Sequence, residues 1–430
     1  MSAVEARSTR LKTISVGIAG LGTVAQGVLE LLATNRDLIE QRSGLTVNVV
    51  RVASRSAKPE VDLRGAAFST DVMDLLSDSR IDVIVELMGG EQLAKDLIVG
   101  AAAQGKSVVT ANKAVIALHG NELTQQNLRY EAAVAGAIPI IQALQQGLVG
   151  NRFSGLSGII NGTCNYMLSA MEDEGVSFDE ILQRAQALGY AEADPSFDVD
   201  GIDAAHKLTI LMALAYGTGY EFSKVHVEGI RAVTPVDIGY ATELGYRIKH
   251  LGILRNTDSG IEARVHPTLV PHGELVAHVN GVLNAVQVVS DAAGKTLFSG
   301  PGAGGAATAS AVVADIVASG TNGGGPVVEQ ERLQVAPVLS IEQITSAYYL
   351  RIPSRNEPGV FAEVAQILSN HDISIDAVIQ KDGHEQGDLV DIVLLTQETQ
   401  EAHMNQALKQ LQQLAAVTDE VMRIRVAPQD

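Results

Sequence analysis

The stretch ISVGIAGLGTVAQGVLELLATN, residues 14–35, decides the fold. Its first seven residues are an apolar run ending in glycine, and Val24, Val28, Leu31 and Leu32 then recur at helical spacing. A strand, a tight turn and a helix are predicted in that order. Within GLGTVA, Gly20 permits the tight turn, Gly22 lets a pyrophosphate approach the backbone, and Ala25 is small enough for helix and strand to pack closely. The helix N-terminus adds unsatisfied N–H groups and positive potential. Gly20, Leu21, Gly22, Thr23 and Val24 are therefore assigned to a dinucleotide site. A packing turn is the competing reading, and the strand before and helix after disfavour it.

Outward from this unit, strands are predicted at TVNVVRVAS (46–54), DVIVELM (82–88) and KSVVTA (106–111), with helical segments around 71–77 and 91–104. Alternation of this kind predicts a parallel sheet with right-handed crossovers. The end of the second strand chooses the dinucleotide. No acid stands there to accept a ribose hydroxyl; the chain has ASRSAK (53–58), so Arg55, with Lys58 nearby, is set to pair with a 2′-phosphate. NADP is expected, with NAD as the alternative, and a solvated loop arginine is the competing account of Arg55.

After GAIPII (136–141) the rhythm changes. GLSGIING (155–162), ILRNTDSGIEARVHPTLV (253–270) and VLNAVQVVS (282–290) read as strands, and helices are expected near 178–188 and 201–216, which describes an α+β domain. GPGAGGAATASAVVADIVAS (300–319) is a glycine-rich turn and an alanine-rich helix, followed by a linker at GTNGGGP (320–326). From 346 onward the order is βαββαβ, a small antiparallel sheet with helices on one side. The expected domains are 1–142, a Rossmann-type domain to which the chain returns at about 300–320; 143–320, a catalytic and dimerisation domain; a linker at 321–345; and 346–430, a ferredoxin-like unit.

Composition agrees with an α/β class: 430 residues exceed one compact core, and 46% are hydrophobic, with 41 glycines and no tryptophan. A net charge of −19 excludes a general nucleic-acid binder, so an anionic ligand must be held by local positive groups. The single cysteine, Cys164, rules out an internal disulfide framework and a cysteine-rich metal site, and reads as a small filler in a reducing compartment. No run reaches the roughly 18–20 apolar residues that span a bilayer, and the first residues do not read as a secretory signal. A cytoplasmic homodimer or homotetramer, without membrane or nucleic-acid partners, is expected.

The segment DVDGIDAAHKL (198–208) places Asp198, Asp200, Asp203 and Lys207 where an apolar face is about to begin. On a helix starting near 200, Asp200, Asp203 and Lys207 fall at i, i+3 and i+7, and so share one face. Asp200 is expected to cap that helix and Asp203 to sit favourably in its first turn. Lys207 leads into LTILMALAY, where a cation is costly unless paired or functional. An ion pair with Asp203 and a proton-transfer role both remain open. Lys113, in TANK (110–113), stands at the carboxyl edge of a strand, where open α/β sheets bind ligands. His119 and His206 lack metal-ligand spacing and are set aside.

Taken in order, GLGTVAQG, VELMGG, VVTANKA, YEAAVAGAIPII, NGTCNYML, LGYAEADPSFDVDGIDAAHKL and GPGAGG resemble the homoserine dehydrogenase family, and the tail resembles an ACT domain. The likeness runs from about residue 14 to 427. It implies NAD(P)-dependent interconversion of L-aspartate 4-semialdehyde and L-homoserine, on the route to threonine and methionine. It further implies Lys207 as general acid/base, Glu192 and Asp203 as substrate ligands, Lys113 beside nicotinamide and substrate, and Gly189 and Gly304 against the cofactor. A monovalent-cation site, sodium or potassium, is implied at Glu131 with the backbone oxygens of Val134, Gly136 and Ile138. The chain departs from the family at Cys164, where Thr or Ser is common, and at Ala25, where Gly is frequent.

In that chemistry, hydride delivery to the aldehyde makes an alkoxide that needs a proton, which a partly desolvated Lys207 ammonium supplies. Glu192, Asp198 and Asp203 are the acceptors for the substrate ammonium. Lys113 either polarises the aldehyde oxygen or binds the carboxylate. In the tail, the turn at Pro358–Gly359 opens a helix, and L-threonine is expected near Asn356 and Gly359 as an inhibitor; a module used only for dimer contacts is the alternative. For the whole chain, another amino-acid or hydroxy-acid oxidoreductase and a non-catalytic NADPH-sensing regulator stay open.

Overall fold

A computed structural model of the chain describes residues 11–123, 127–322, 336–381 and 389–428. It divides into two compact units. One takes the chain up to Val149, Ala213–Tyr220 and the segment from Gly300; the other takes Gly150–Met212, Glu221–Ser299 and the C-terminal segment. None of its helices is long and apolar enough to cross a membrane, among the described residues.

The first unit is built on strands β1 (Lys12–Ala19), β2 (Leu45–Ala53), β3 (Ala67–Ser69), β4 (Val83–Glu86), β5 (Ser107–Thr110) and β6 (Leu128–Arg129). They lie in the order β3-β2-β1-β4-β5-β6 with every neighbouring pair parallel. The order reverses between β1 and β4, which opens a crevice at the carboxyl ends of the strands. Helices cover both faces, so β1 is buried on alternate and adjacent positions alike: Val16, Ile18 and Ala19 are all inaccessible. The helix Thr23–Thr34 buries Ala25, Val28, Leu29 and Leu32. Val24 and Leu31, expected on that face, lie beside it half-covered.

The helix Gly305–Asn322 returns to this unit and packs on Thr23–Thr34. A methyl group on Gly27 would stand 2.6 Å from the Gly305 carbonyl oxygen, so glycine is what allows the two helices to meet. Residues 320–322 of the expected linker are thus the last turn of a helix. Most of the remainder of that linker, 323–335, lies outside the described residues.

In the second unit, β7 (Phe153–Ile159), β8 (His226–Val227), β9 (Tyr246–Thr257), β10 (Gly260–Pro271), β11 (Leu283–Ser290) and β12 (Gly294–Pro301) are followed by the C-terminal β13 (Thr345–Ser346), β14 (Tyr348–Arg355), β15 (Ile375–Gln380), β16 (Leu389–Thr396), β17 (Thr399–Gln400) and β18 (Met422–Val426). The tail follows the expected βαββαβ order, with helices Val360–Asn370 and Glu401–Leu411. Its sheet does not stand alone, however. The path β12-β11-β7-β9-β10-β18-β14-β16-β15 is one ten-stranded sheet, with β8 added beside β10. The join is a two-residue parallel pairing of Thr268–Leu269 with Arg425–Val426.

Side chains lock that join. Arg425, 1% exposed, donates to both Glu401 and Glu228, and Arg423 donates to the same two carboxylates. Burial pushes the Glu228 pKa up, but the bonds from His226 and Arg425 outweigh it and hold the group ionised, below the usual carboxylate range. The same segment reaches the other way: the Ile230 N–H donates to the Val199 carbonyl at 2.9 Å, and only a glycine at 229 fits against Val199 and Asp200.

Candidate active site

In the first unit, Gly20 adopts φ +100°, and a Cβ there would meet the Leu87 carbonyl oxygen at 2.6 Å; both facts require glycine at the turn. Gly22 stands at the N-cap of Thr23–Thr34 with no side-chain cap, which leaves the first N–H groups of the helix, at Thr23 and Val24, to a ligand. Leu21 is buried beneath the turn. Gly304, at φ +117°, precedes Gly305, whose Cβ would sit 3.0 Å from the Thr23 carbonyl oxygen, so the expected second glycine contact is brought beside the first. Arg55 lies exposed just past β2, and no carboxylate pairs with it among the described residues.

Lys113 opens the helix Lys113–Leu123 after β5, rather than ending the strand. Its position is set by Asn112, whose side chain donates to the Gly90 carbonyl at 2.8 Å and accepts from the Val115 N–H. Below it Glu86, fully buried at the end of β4, accepts from the Thr110 hydroxyl and the Met88 N–H, and burial raises its pKa.

Glu131 is 2% exposed, and its two oxygens accept the N–H groups of Ile141 and Gln142 at 2.9 and 2.8 Å. Burial pushes its pKa up to about 7. The chain then turns tightly between Val134 and Ile138: Gly136 takes φ +57° freely, and Ala135 takes φ +56° at some strain. The Ile138 oxygen already accepts from the Ile140 N–H at 2.8 Å. Carboxylate and carbonyl oxygens are the donor set that a hard cation takes, so the residues fit such an ion, with Ile138 the least available of them.

The second unit assembles the charged cluster. Lys207, 9% exposed, donates from Nζ to the Ile160 carbonyl and to Asp203 Oδ2, each at 2.7 Å. Asn161, which sequence reasoning passed over, joins the rest: its Nδ2 donates to Asp198 Oδ1 and to Asp203 Oδ2, both at 2.8 Å, while its Oδ1 accepts from the Cys164 N–H. It is the N-cap of the helix Gly162–Glu174. An asparagine between a strand and a helix was the available signal. Cys164 is fully buried, and burial first, then Asp198 and Asp203, push its thiol pKa well up, so it is an inert filler.

Asp200 corrects the expected geometry. The helix runs Ile202–Tyr216, and Asp200 instead terminates the short helix Ser196–Val199 and pairs with Arg231 at 2.5 Å. It neither caps the later helix nor joins the Lys207 cluster. Gly201, at φ +88°, makes the bend between the two helices.

Glu192 is exposed in the loop before Ser196, and its backbone oxygen accepts from the Gln186 side chain. Its side chain makes no hydrogen bond to the cluster among the described residues, but the loop is tied there by Thr163 Oγ1, which donates to the Tyr190 carbonyl at 2.7 Å. Gly189, at φ +75°, forms the bend that begins this loop. In the C-terminal portion Asn356 is exposed, and Gly359, at φ +100°, is the N-cap of Val360–Asn370.

With this geometry in hand, comparison with known proteins is specific. Family models match at residues 20–138 (homoserine dehydrogenase, NAD binding domain), 139–317 (homoserine dehydrogenase) and 348–413 (ACT domain). A homoserine dehydrogenase of Pseudomonas aeruginosa is 48% identical over 430 residues, covering 97% of this chain and 99% of that one. One from Neisseria gonorrhoeae is 44% identical, covering 97% and 99%. The crystal structure of a homoserine dehydrogenase from Thiobacillus denitrificans superposes with a TM-score of 0.91 at 47% identity, covering 97% and 98%. A hyperthermophilic archaeal homoserine dehydrogenase in complex with NADPH gives 0.60 at 25%, covering 72% and 98%.

Replacing Asn161 with Ala removes the amide that separates two carboxylates. Stability is expected to fall by about 1–3 kcal/mol, the cost of leaving buried acceptors unsatisfied, as read by urea unfolding.

Proposed function

Because the chain belongs to the homoserine dehydrogenase family, we propose that Lys207 is the proton donor and acceptor of its reaction, the NAD(P)-dependent interconversion of L-aspartate 4-semialdehyde and L-homoserine. One observation carries the assignment: the Lys207 ammonium is nearly buried and fixed by the Ile160 carbonyl and Asp203. A nicotinamide held at the glycine turn would supply hydride chemistry to the aldehyde carbon, and Lys207 would give its proton to the oxygen that becomes negative. In the oxidative direction, neutral Lys207 removes that proton from the alcohol. Asp203 balances the charge of Lys207 and, with Asp198 and Glu192, attracts the ammonium of the amino-acid substrate. Lys113, at the crevice, either polarises the aldehyde oxygen or binds the carboxylate.

The glycine turn and Gly304 support the reading of a dinucleotide lying over Thr23–Val24, the family likeness alone adds Gly189, and exposed Arg55 supports NADP over NAD. Glu131 with the carbonyls of Val134, Gly136 and Ile138 would hold a monovalent cation, which screens the buried carboxylate. Asn356 and Gly359 would receive L-threonine at the start of their helix, making the tail a feedback inhibitor site.

Turnover in Lys207→Ala should fall by roughly two to four orders of magnitude with NADPH binding nearly intact, measured as semialdehyde-dependent NADPH oxidation and fluorescence titration. Unchanged turnover would remove Lys207 from the mechanism. Arg55→Glu should weaken NADPH more than NADH in the same titration; equal losses reject the phosphate contact. Deleting the tail would bare an edge of β10, so the effector is better tested by Asn356→Ala in the full chain. Threonine should inhibit that variant about tenfold less strongly, the size of one lost hydrogen bond to a charged group, and equal inhibition of both forms refutes the assignment.

A further inference from the structure

A cavity of about 280 Å³ lies in the second unit between the β9–β10 hairpin and the C-terminal strands, lined among others by Tyr246, Arg255, Arg264, Thr396, Asp376 and Glu398. Its floor is cationic. Arg264 is 1% exposed, and its one side-chain partner is Glu262; the Nε has no hydrogen-bond partner among the described residues. Arg255 stands opposite Glu262 in the hairpin, 3.6 Å from the same carboxylate. One carboxylate therefore serves two guanidinium groups, which leaves about one positive charge in excess. The nearby Arg425 does not alter that count, since Glu228 and Glu401 already balance it.

Arg264 pairs with Glu262 yet keeps a buried Nε without a partner among the described residues, and the partly exposed Arg255 shares the same carboxylate, so together they leave the floor receptive to an anion. Burial lowers the Arg264 pKa, Glu262 opposes this, and Arg425 and Arg255 act in the same direction as burial, all consistent with an unfilled need for negative charge. The rim has the opposite sign: Asp376 and Glu398 are exposed, and neither is ion-paired among the described residues. A floor that wants a carboxylate and a rim that wants a cation, separated by one small cavity, match the two ends of a zwitterion. The volume admits a small molecule and excludes a nucleotide.

We propose that this cavity binds a free α-amino acid, its carboxylate on Arg255 and Arg264 and its ammonium at Asp376 and Glu398. The site is separate from Asn356–Gly359. The cavity takes Thr345, Ser346 and Ala347, just before β14, whereas Asn356 follows its end, and eight extended residues span roughly 25 Å. The proposal stands independently of the catalytic role of Lys207.

Isothermal titration of the full chain with glycine, L-alanine, L-serine and inorganic phosphate, none of them the substrate or the effector assigned above, tests it. At least one amino acid should bind, Arg255→Met should weaken that binding about tenfold or more, and Asn356→Ala should leave it unchanged. Asp376→Asn, at an exposed position, should weaken the same amino acid while sparing phosphate, and it carries the test should Arg255→Met fail to fold. Phosphate binding as tightly as every amino acid overturns the zwitterion assignment. Binding of no probe, or loss of amino-acid binding in Asn356→Ala alone, overturns the site.

Discussion

The end of β7 is the point on which the charged cluster depends. Ile160 offers its carbonyl to Lys207, and Asn161 offers both hydrogens of its amide to Asp198 and Asp203. Three like-charged or costly groups are thereby held in one small volume without repelling one another. Remove the amide and two carboxylates face each other; remove the carbonyl and the ammonium loses one of its anchors. A buried lysine is tolerable here because its ammonium is met by a backbone carbonyl and by a carboxylate that the Asn161 amide holds in turn. The main chain of a strand end, not the side chains alone, holds the Lys207 ammonium in place.

Around that point the fold divides its tasks. The parallel sheet of the first unit builds a crevice by reversing its strand order between β1 and β4, and glycines let helix termini approach it. The antiparallel core of the second unit supplies a rigid edge from which a strand end projects. The homoserine dehydrogenase family models reflect two kinds of construction on one chain, residues 20–138 matching its NAD binding domain and residues 139–317 a separate model.

How much of this could be read from the sequence follows from how local each feature is. The strand, turn and helix of residues 14–35 were legible because each step depends on neighbours in the chain, and the βαββαβ order of the tail was legible for the same reason. The helix Gly162–Glu174 was not, since it is buried on most sides and so has no polar stripe to mark its period. The single sheet was hidden too: its seam is two residues long and joins segments far apart in sequence. Asn161 escaped because its carboxylate partners lie 37 and 42 residues away. Asp200 was misplaced because a glycine bend at 201 separates it from the helix it was expected to begin. The Lys207–Asp203 pairing, by contrast, is a spacing of four on one helix and was open to inspection.

The segment from Glu228 to Ile230 has a further consequence. At one end its carboxylate is gripped by arginines of the last strand; at the other its backbone is bonded to Val199, next to Asp198. Two peptide links therefore separate the carboxylate held by the last strand from the N–H held by Val199. A displacement of the last strand would thus be passed first to residues 228–230 and, through the Ile230–Val199 bond, to the short helix that carries Asp198.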